Sequence, residues 1–386
     1  MDMNNLPLCV FLDLSKAFDT LDHKILLNKL QYYGINNGAL TLIKSYFTKR
    51  TQSVVFDDVT SSTLEITCGV PQGSILGPLF FLIYINDIIQ SSNVFNMTIY
   101  ADDTSLFTSL NSREIDEQKL NTELDKINIW LKVNKLSLNI IKTKAMLFRT
   151  PQRKVTYPKL FIENHEIDFV KEFNYLGIIL DENLNWKKHT DAVAKKIAKT
   201  IGVSNKIKNF VPSNILLNIY NTLILPHLTY GNIIWGWKSC RLFKLQKKAV
   251  RVITQSKFNA HTDPLFHKLN ILKLSDIGRL QDLKFCYKFE NCLLPKFFYE
   301  ELQHDSYSHQ YNTRQGRDLR LPAVSHDFAK HSMNYRFPSC LNSMSLIFKE
   351  KIYTHSFAGF KLYVKKKFIE QYNTQCIIPN CYVCGR

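Results

Sequence analysis

"YADD", residues 100–103, lies between the apolar runs "NVFNMTI" (93–99) and "TSLFTSL" (104–110). Two β-prone runs with so short a gap predict a tight hairpin with Asp102 and Asp103 at its tip. Side by side, two carboxylates repel, and Asp is a poor strand former. Solvent can absorb that repulsion, a bound cation can offset it, and Asp is in any case an ordinary turn residue. Four letters do not choose among these.

The flanking sequence alternates strand and helix signals over the first ~180 residues. "PLCVFLDL" (7–14) is an apolar run ending in an acid, which predicts a buried strand with Asp13 at its C-terminal end. "HKILLNKLQYYG" (23–34) has helical spacing closed by Gly34, and "ALTLIKSYF" (39–47) is a second short helix. "TQSVVFDDVTSSTLEITCG" (51–69) reads as two β-rich runs around an Asp/Ser/Thr turn. An apolar helix over about 74–90, with Ser74 as cap, leads to the hairpin. A long amphipathic helix over about 112–134 and the strand "KAMLFRT" (144–150) follow. Strand, helix, hairpin, helix, strand is a split βαβ pattern: an α+β fold whose antiparallel sheet is backed by helices and leaves one face open to a ligand. From 187 onward helical patterns dominate, so a boundary is expected near 185 and a softer one near 258. From about 303 the chain is polar, poorly periodic and expected to be loop-rich.

Charge is large and unevenly placed. The chain of 386 residues is 45% hydrophobic and 22% charged, a globular composition, with a formal net charge of +17. Residues 1–111 carry a net −4, so the remaining 275 carry +21. Between Lys187 and Lys257 stand 14 basic residues and one acid, Asp191. An acidic start and a basic body imply a polyanion held beside a cation site, unless the basic face is only solvated surface. Nine scattered cysteines without a framework spacing imply a reduced, intracellular protein, with nucleus and cytoplasm not distinguished. "MDMNNLPLCVFLDL" lacks a basic n-region, and "ILGPLFFLIYINDII" (75–89) is too short to span a bilayer, so no membrane partner is expected.

Asp13 at a strand end and Asp102 with Asp103 at a hairpin turn are natural neighbours in such a sheet. Carboxylates alone, with no His or Cys nearby in sequence, suit Mg²⁺ or Mn²⁺. Two such ions about 4 Å apart activate a 3′-hydroxyl and stabilise a pyrophosphate leaving group in an in-line displacement. "GVPQGSILGPLFFLIYINDI" (69–88) precedes YADD by one helix and one strand. There Gly69 and Gly73 permit close backbone approach, and Gln72 offers a neutral donor and acceptor near the ions.

"FLDLSKAFDTLDH" (11–23), the PQGS segment, YADD, "LSLNIIKTKAMLF" (136–148) and "FNYLGIILDENLNWKKH" (173–189) occur in this order. Together they resemble the palm motifs of reverse transcriptases, in the version of jockey-like non-LTR retrotransposons. Group II intron enzymes share PQGS and YADD and are the nearest alternative. Viral RNA-dependent RNA polymerases usually carry GDD, and LTR-type enzymes favour YLDD or YVDD.

The resemblance implies a right-hand polymerase palm with residual fingers elements over 1–185, a helical basic thumb over 186–258, and a helical, loop-rich C-terminal extension over 259–386. It implies RNA-directed DNA polymerase activity on an RNA template and DNA primer, with dNTPs, an RNA–DNA duplex and two Mg²⁺ ions, Mn²⁺ being an alternative. Asp13, Asp102 and Asp103 match the catalytic, metal-holding aspartates, and the Leu14 carbonyl is a further ligand. Phe18 falls at the steric gate against a ribonucleotide 2′-OH, with a core role as the plainer reading. Gln72 and Gly73 match nucleotide-contacting positions, and Lys142 or Lys144 the basic residue near the triphosphate, Lys142 being preferred. Tyr175, Leu176 and Gly177 match the primer-grip turn. Lys187, Lys188, Lys195, Lys196 and Lys199 match backbone-contacting residues of the thumb, where Trp235 and Trp237 read as core. Asp19 and Asp22 match no ligand position and read as structural or surface acids.

Only twelve residues precede Asp13, so the family's upstream fingers motifs and its endonuclease domain are not in this sequence. The chain is therefore expected to be part of a larger polyprotein or a decayed copy. The alternative function is a non-catalytic nucleic-acid-binding fragment. "CIIPNCYVCGR" (376–386) resembles half a zinc site without a His at knuckle spacing.

Overall fold

The computed structural model describes residues 5–111, 115–238, 240–302, 319–324 and 329–373. It divides into two compact units, one ending at Leu184 and one beginning at Asn185.

The first unit is built on the strand Asn5–Ser15 (β1). Helices His23–Tyr32 (α1) and Asn37–Phe47 (α2) follow it. Two short ribbons come next: Thr51–Gln52 (β2) pairs with Leu64–Glu65 (β5) around Val55–Phe56 (β3) and Val59–Thr60 (β4). Helix Leu76–Ile85 (α3) leads into the hairpin Asn96–Tyr100 (β6) and Asp103–Asn111 (β7). Helix Glu117–Val133 (α4), the strands Ser137–Leu138 (β8) and Lys144–Leu147 (β9), and the ribbons Phe161–Ile162 (β10), His165–Glu166 (β11), Glu172–Tyr175 (β12) and Ile178–Asp181 (β13) complete it.

β1 is the centre of an antiparallel sheet, with β7 along one edge and β8 and β9 along the other; β6 lies outside β7. Side chains alternate along a strand, so Leu6, Leu8, Val10, Leu12 and Leu14 all enter the core beneath the helices. Cys9 and Phe11 point to the opposite face and pack with Met146 and Phe148. β1 is thus apolar on both faces along most of its length, which is why it reads as a continuous run rather than an alternation. The β12–β13 ribbon covers that second face: Phe173 stacks on Phe11 at 4.1 Å. Asp13 lies on the same face, two residues beyond Phe11.

Several elements differ from the sequence reading. The helix expected over 74–90 is α-helical only over Leu76–Ile85 and continues as a 3₁₀ turn, Asn86–Ser91. Ser74 still caps its first turn, accepting from the Gly77 N–H at 3.0 Å. Its buried side carries Phe80, Phe81 and Tyr84, while Leu79 and Leu82 stay exposed. The Tyr84 hydroxyl donates to the Asn134 carbonyl at 2.6 Å inside the core. The helix expected from 112 begins at Glu117, where the Asp116 carboxylate accepts the Lys119 N–H.

The second unit is helical: Lys187–Ile207 (α5), Ser213–Ile219 (α6), Leu225–Thr229 (α7), Asn232–Trp235 (α8), Cys240–Ile253 (α9), Asp263–Lys268 (α10), Leu274–Glu290 (α11), Lys296–Glu301 (α12), Met333–Asn342 (α13), Leu346–Thr354 (α14) and Phe357–Glu370 (α15). Tyr220–Ile224 is a π-turn that ends two residues before Pro226. Proline has no N–H for the i−4 carbonyl, so the helix opens there. Contacts cross the boundary expected near 258: Gln246 of α9 donates to Leu272 O at 2.9 Å and accepts from Leu274 N at 2.9 Å. Helices α13–α15 occupy much of a segment expected to be loop-rich. Phe360, Val364 and Phe368 recur every fourth residue and are buried, a helical period that the lysines between them obscure. Cys376, Cys381 and Cys384 lie outside the described residues.

Candidate functional site

The hairpin sets the geometry. Tyr100 pairs with Asp103, so Ala101 and Asp102 are the two loop residues. Ala101 is left-handed, φ 54°, in a two-residue loop where the first central position usually needs glycine. A residue with a Cβ held there costs about 1–2 kcal/mol. Asp103 is the direct cross-strand partner of Asp13. Asp13 and Asp103 therefore stand side by side at one end of the sheet, on the face that carries Phe11, with Asp102 in the adjoining turn. Burial, then Asp102, then Asp13, pushes the Asp103 carboxyl above the usual carboxylate range. Asp102 and Asp103 are exposed. Among the described residues no three acid, His or Cys side chains close around a single ion position. Leu14 has its side chain in the core, so only its backbone carbonyl is available to a ligand.

Among the described residues, Lys142 reaches the cluster. Lys142 Nζ lies 3.7 Å from Asp13 Oδ2, while Lys144 Nζ is bound to Asp168 Oδ2 at 2.7 Å. The turn before β9 separates them: Lys142 N donates to Asn139 Oδ1 and Thr143 N to Asn139 O.

Gly69–Gly73 docks on the turn after β1. Gly69 N donates to Leu21 O at 2.7 Å and Val70 N to Phe18 O at 2.9 Å. A Cβ on Gly69 would lie 2.6 Å from the Asp19 carbonyl oxygen, and its φ is +82°, so glycine is required twice over. Exposed Gln72 donates to Asp19 Oδ1 at 2.9 Å. Asp19, read from sequence as a structural or surface acid, is the acceptor that holds Gln72. No sequence signal marks this contact, which spans 53 residues. Phe18 is half-buried, with its ring 4.7 Å from Phe81. A cleft of about 610 Å³ opens beside this loop, lined by Asp19, His23, Arg50, Gln52 and Gln72 among others.

Tyr175, Leu176 and Gly177 form the β12–β13 turn. Leu176 and Gly177 both have positive φ, 48° and 76°, as a type I′ turn demands, with leucine where asparagine or glycine is usual. The Tyr175 hydroxyl lies 3.2 Å from Ser105 Oγ, and its ring 5.3 Å from Phe11. This places the turn on the sheet face that carries the carboxylates. Ser105 was missed from sequence, although the two-residue period from Asp103 puts it on that face.

In the second unit, Lys187, Lys188, Lys195, Lys196 and Lys199 are exposed on α5, whose buried stripe is His189, Val193, Ile197 and Ile201. Asp191, the one acid of the basic stretch, is bound by Arg241. Trp235 is fully buried and donates its Nε1–H to Tyr230 O at 3.0 Å. Trp237 stacks on His331 at 3.9 Å.

Residues 2–180 match the family described as reverse transcriptase (RNA-dependent DNA polymerase). The chain is similar to a probable RNA-directed DNA polymerase from transposon X-element of Drosophila melanogaster, 27% identical over 69% of this chain and 30% of that protein. It is similar to the RNA-directed DNA polymerase from mobile element jockey of the same species, 27% identical over 71% of this chain and 31% of that protein. The jockey protein of Drosophila funebris gives 27% over 69% and 30%. The chain thus spans about 30% of the length of these curated relatives. Among solved structures, a telomerase chain from Candida albicans is 14% identical, covering 68% of this chain and 46% of that one, at a TM-score of 0.25 too low to bear on the fold.

Proposed function

We propose, from the premise that residues 2–180 belong to the reverse transcriptase family, that this chain adds deoxynucleotides to a primer 3′-hydroxyl on an RNA template. The observation that carries the reading is the register that sets Asp13 opposite Asp103 with Asp102 in the adjoining turn. The unit ending at Leu184 is then the palm with residual fingers elements, helices α5–α9 the thumb, and the helices beyond 258 a C-terminal extension.

An all-oxygen donor set with mutually repelling carboxylates is suited to hard divalent cations. Mg²⁺ is commonly held by one or two carboxylates, with water and substrate phosphates completing its shell, so three converging protein groups are not required. Two bound Mg²⁺ ions would supply activation of the 3′-hydroxyl and neutralisation of the pyrophosphate charge. The protein's own groups divide the remaining work. Lys142, beside Asp13, is placed to donate a proton to departing pyrophosphate. Gln72, held by Asp19, presents its amide to the incoming nucleotide and template base. The Phe18 ring, backed by Phe81, stands where a 2′-OH would enter. The Tyr175–Gly177 turn holds the primer end, and misplacing it by about 1 Å costs on the order of a hundredfold in rate. The lysines of α5 hold backbone phosphates of the duplex without reading sequence. The length of the relatives supports action within a larger polypeptide.

Primer extension on an RNA template with a DNA primer, Mg²⁺ and dNTPs tests this beside Asp102→Ala. Loss of several kcal/mol of charge stabilisation, at about 1.4 kcal/mol per tenfold, lowers extension by at least about a thousandfold. No extension by the parent, with duplex binding retained, would instead identify a binding fragment.

A further inference from the structure

Helices α11 and α15 pack along apolar sides, with Tyr287 against Phe360 at 5.1 Å. Their outer edges carry four lysines that the polymerase reading leaves unused. Lys284 and Lys288 stand about one turn apart on α11, and Lys361 and Lys365 about one turn apart on α15. Lys284 and Lys365 are half-buried, and Lys288 and Lys361 are exposed. The ring of Phe357 lies beneath Lys284 and Lys288, 5.9 and 5.5 Å from their ammonium nitrogens.

The acids of these helices are committed elsewhere. Asp282 binds Arg336 at 2.7 Å, and Asp276 accepts from the Tyr372 hydroxyl at 2.5 Å. Glu290 is taken by the Tyr353 hydroxyl and Glu370 by Lys367. Among the described residues none of the four lysines is in an ion pair. Burial first, then Lys361 and Lys288, lowers the Lys284 ammonium pKa, and burial followed by Lys361 lowers that of Lys365. Like charges one turn apart cost about 0.2–0.5 kcal/mol per pair, and the Phe357 ring offsets this only at Lys284 and Lys288. A polyanion lying along the seam would turn the repulsion into attraction. Four residues rise roughly 6 Å along a helix, close to the rise of two stacked nucleotides at about 3.4 Å each. Lysine ammoniums act as point charges toward phosphate, without base reading.

We infer that the α11–α15 lysine seam is a second nucleic-acid interface, on helices other than α5, that holds the phosphate backbone of single-stranded RNA. The choice of RNA rests on the RNA-directed reading proposed above; the affinity for a phosphate chain does not.

The test measures binding of labelled oligouridine to the full chain across a salt series. It compares the parent, the variant K284Q/K288Q/K361Q/K365Q and the charge-keeping variant K284R/K288R/K361R/K365R. Loss of up to four phosphate contacts lowers the slope of log affinity against log salt by roughly 2–3, and low-salt affinity by at least about tenfold, in the Gln variant only. Equal slopes and affinities for parent and Gln variant would overturn the inference. So would an Arg variant that loses as much as the Gln variant, since packing would then be the cause. Loss of binding to phosphatidylserine vesicles with oligouridine binding unchanged would overturn it in favour of a membrane surface. Primer extension by the parent, run beside the salt series, separates the two readings: a failed polymerase shows no extension while the difference in salt slope between parent and Gln variant persists.

Discussion

Asp103→Asn, in protein stripped of divalent cations with EDTA, removes one of three like charges from the sheet end. Asp13 and Asp103 are direct cross-strand partners, which sets their Cα atoms about 4.5–5.5 Å apart. With the carboxylates at about 6 Å, the repulsion is about 0.7 kcal/mol at the dielectric constant of water and about 3 kcal/mol at an effective value of 20. The Asp13 side chain is 40% exposed and Asp103 is exposed, so the water-like value is the relevant one. Lys142, 3.7 Å from Asp13, offsets part of it. The variant should therefore be about 0.5–1 kcal/mol more stable at neutral pH, a rise of roughly 1–4 °C in Tm. The pH dependence has a defined sign. An acid whose folded pKa is raised binds more protons in the folded state, so its ionisation destabilises the fold as pH rises through that pKa. The advantage of Asp103→Asn is full at about pH 7 and closes as pH falls toward the unfolded carboxylate value of about 4. Mg²⁺ reverses the order: the parent gains about 2.7 kcal/mol at a hundredfold excess over its Kd, and the variant gains less. Differential scanning calorimetry with and without Mg²⁺, from about pH 8 to about pH 4, reads all of this. A variant no more stable than the parent without cation, or an equal Mg²⁺ gain in both, would refute the argument that Asp103 shares in repulsion with Asp13 and in holding a cation.

Four further outcomes follow from the same geometry. Gly69→Ala and Gly73→Ala share a positive φ, but only the Gly69 Cβ meets backbone; the Gly73 variant should lose about 1 kcal/mol and the Gly69 variant clearly more, as read by urea unfolding of β1 amides in hydrogen exchange. Leu176→Asn relieves a left-handed leucine and should raise stability by roughly 0.5–1 kcal/mol, while weakening primer–template affinity in a binding titration. Tyr84→Phe leaves the Asn134 carbonyl without its buried donor and should cost about 1–3 kcal/mol in a denaturant titration. Phe18→Val opens space at the proposed gate, so the ratio of kcat/KM for dNTP over rNTP should fall at least about tenfold, a difference of about 1.4 kcal/mol; an unchanged ratio would return Phe18 to a purely core role.

Much of this site was legible in one dimension because its parts are local. A two-residue gap between β-prone runs made the 100–103 hairpin, and an apolar run ending in Asp13 made the central strand, since side-chain period and turn length act over a few residues. Gly69 was legible as a close-approach glycine, although not what it approaches. The tertiary structure decided everything that depends on which distant segment arrives. Lys142 and Lys144 are two letters apart, and the sequence only leaned toward Lys142; the Asn139 turn leaves Lys142 beside Asp13 and Lys144 on Asp168. Asp19 became the holder of Gln72 only because the Gly69 loop lies against its backbone. The lysine seam is invisible along the chain because its two halves, on α11 and α15, are joined by packing of Tyr287 and Phe360. Periodicity records which side of an element is buried, and carries no record of the partner that buries it.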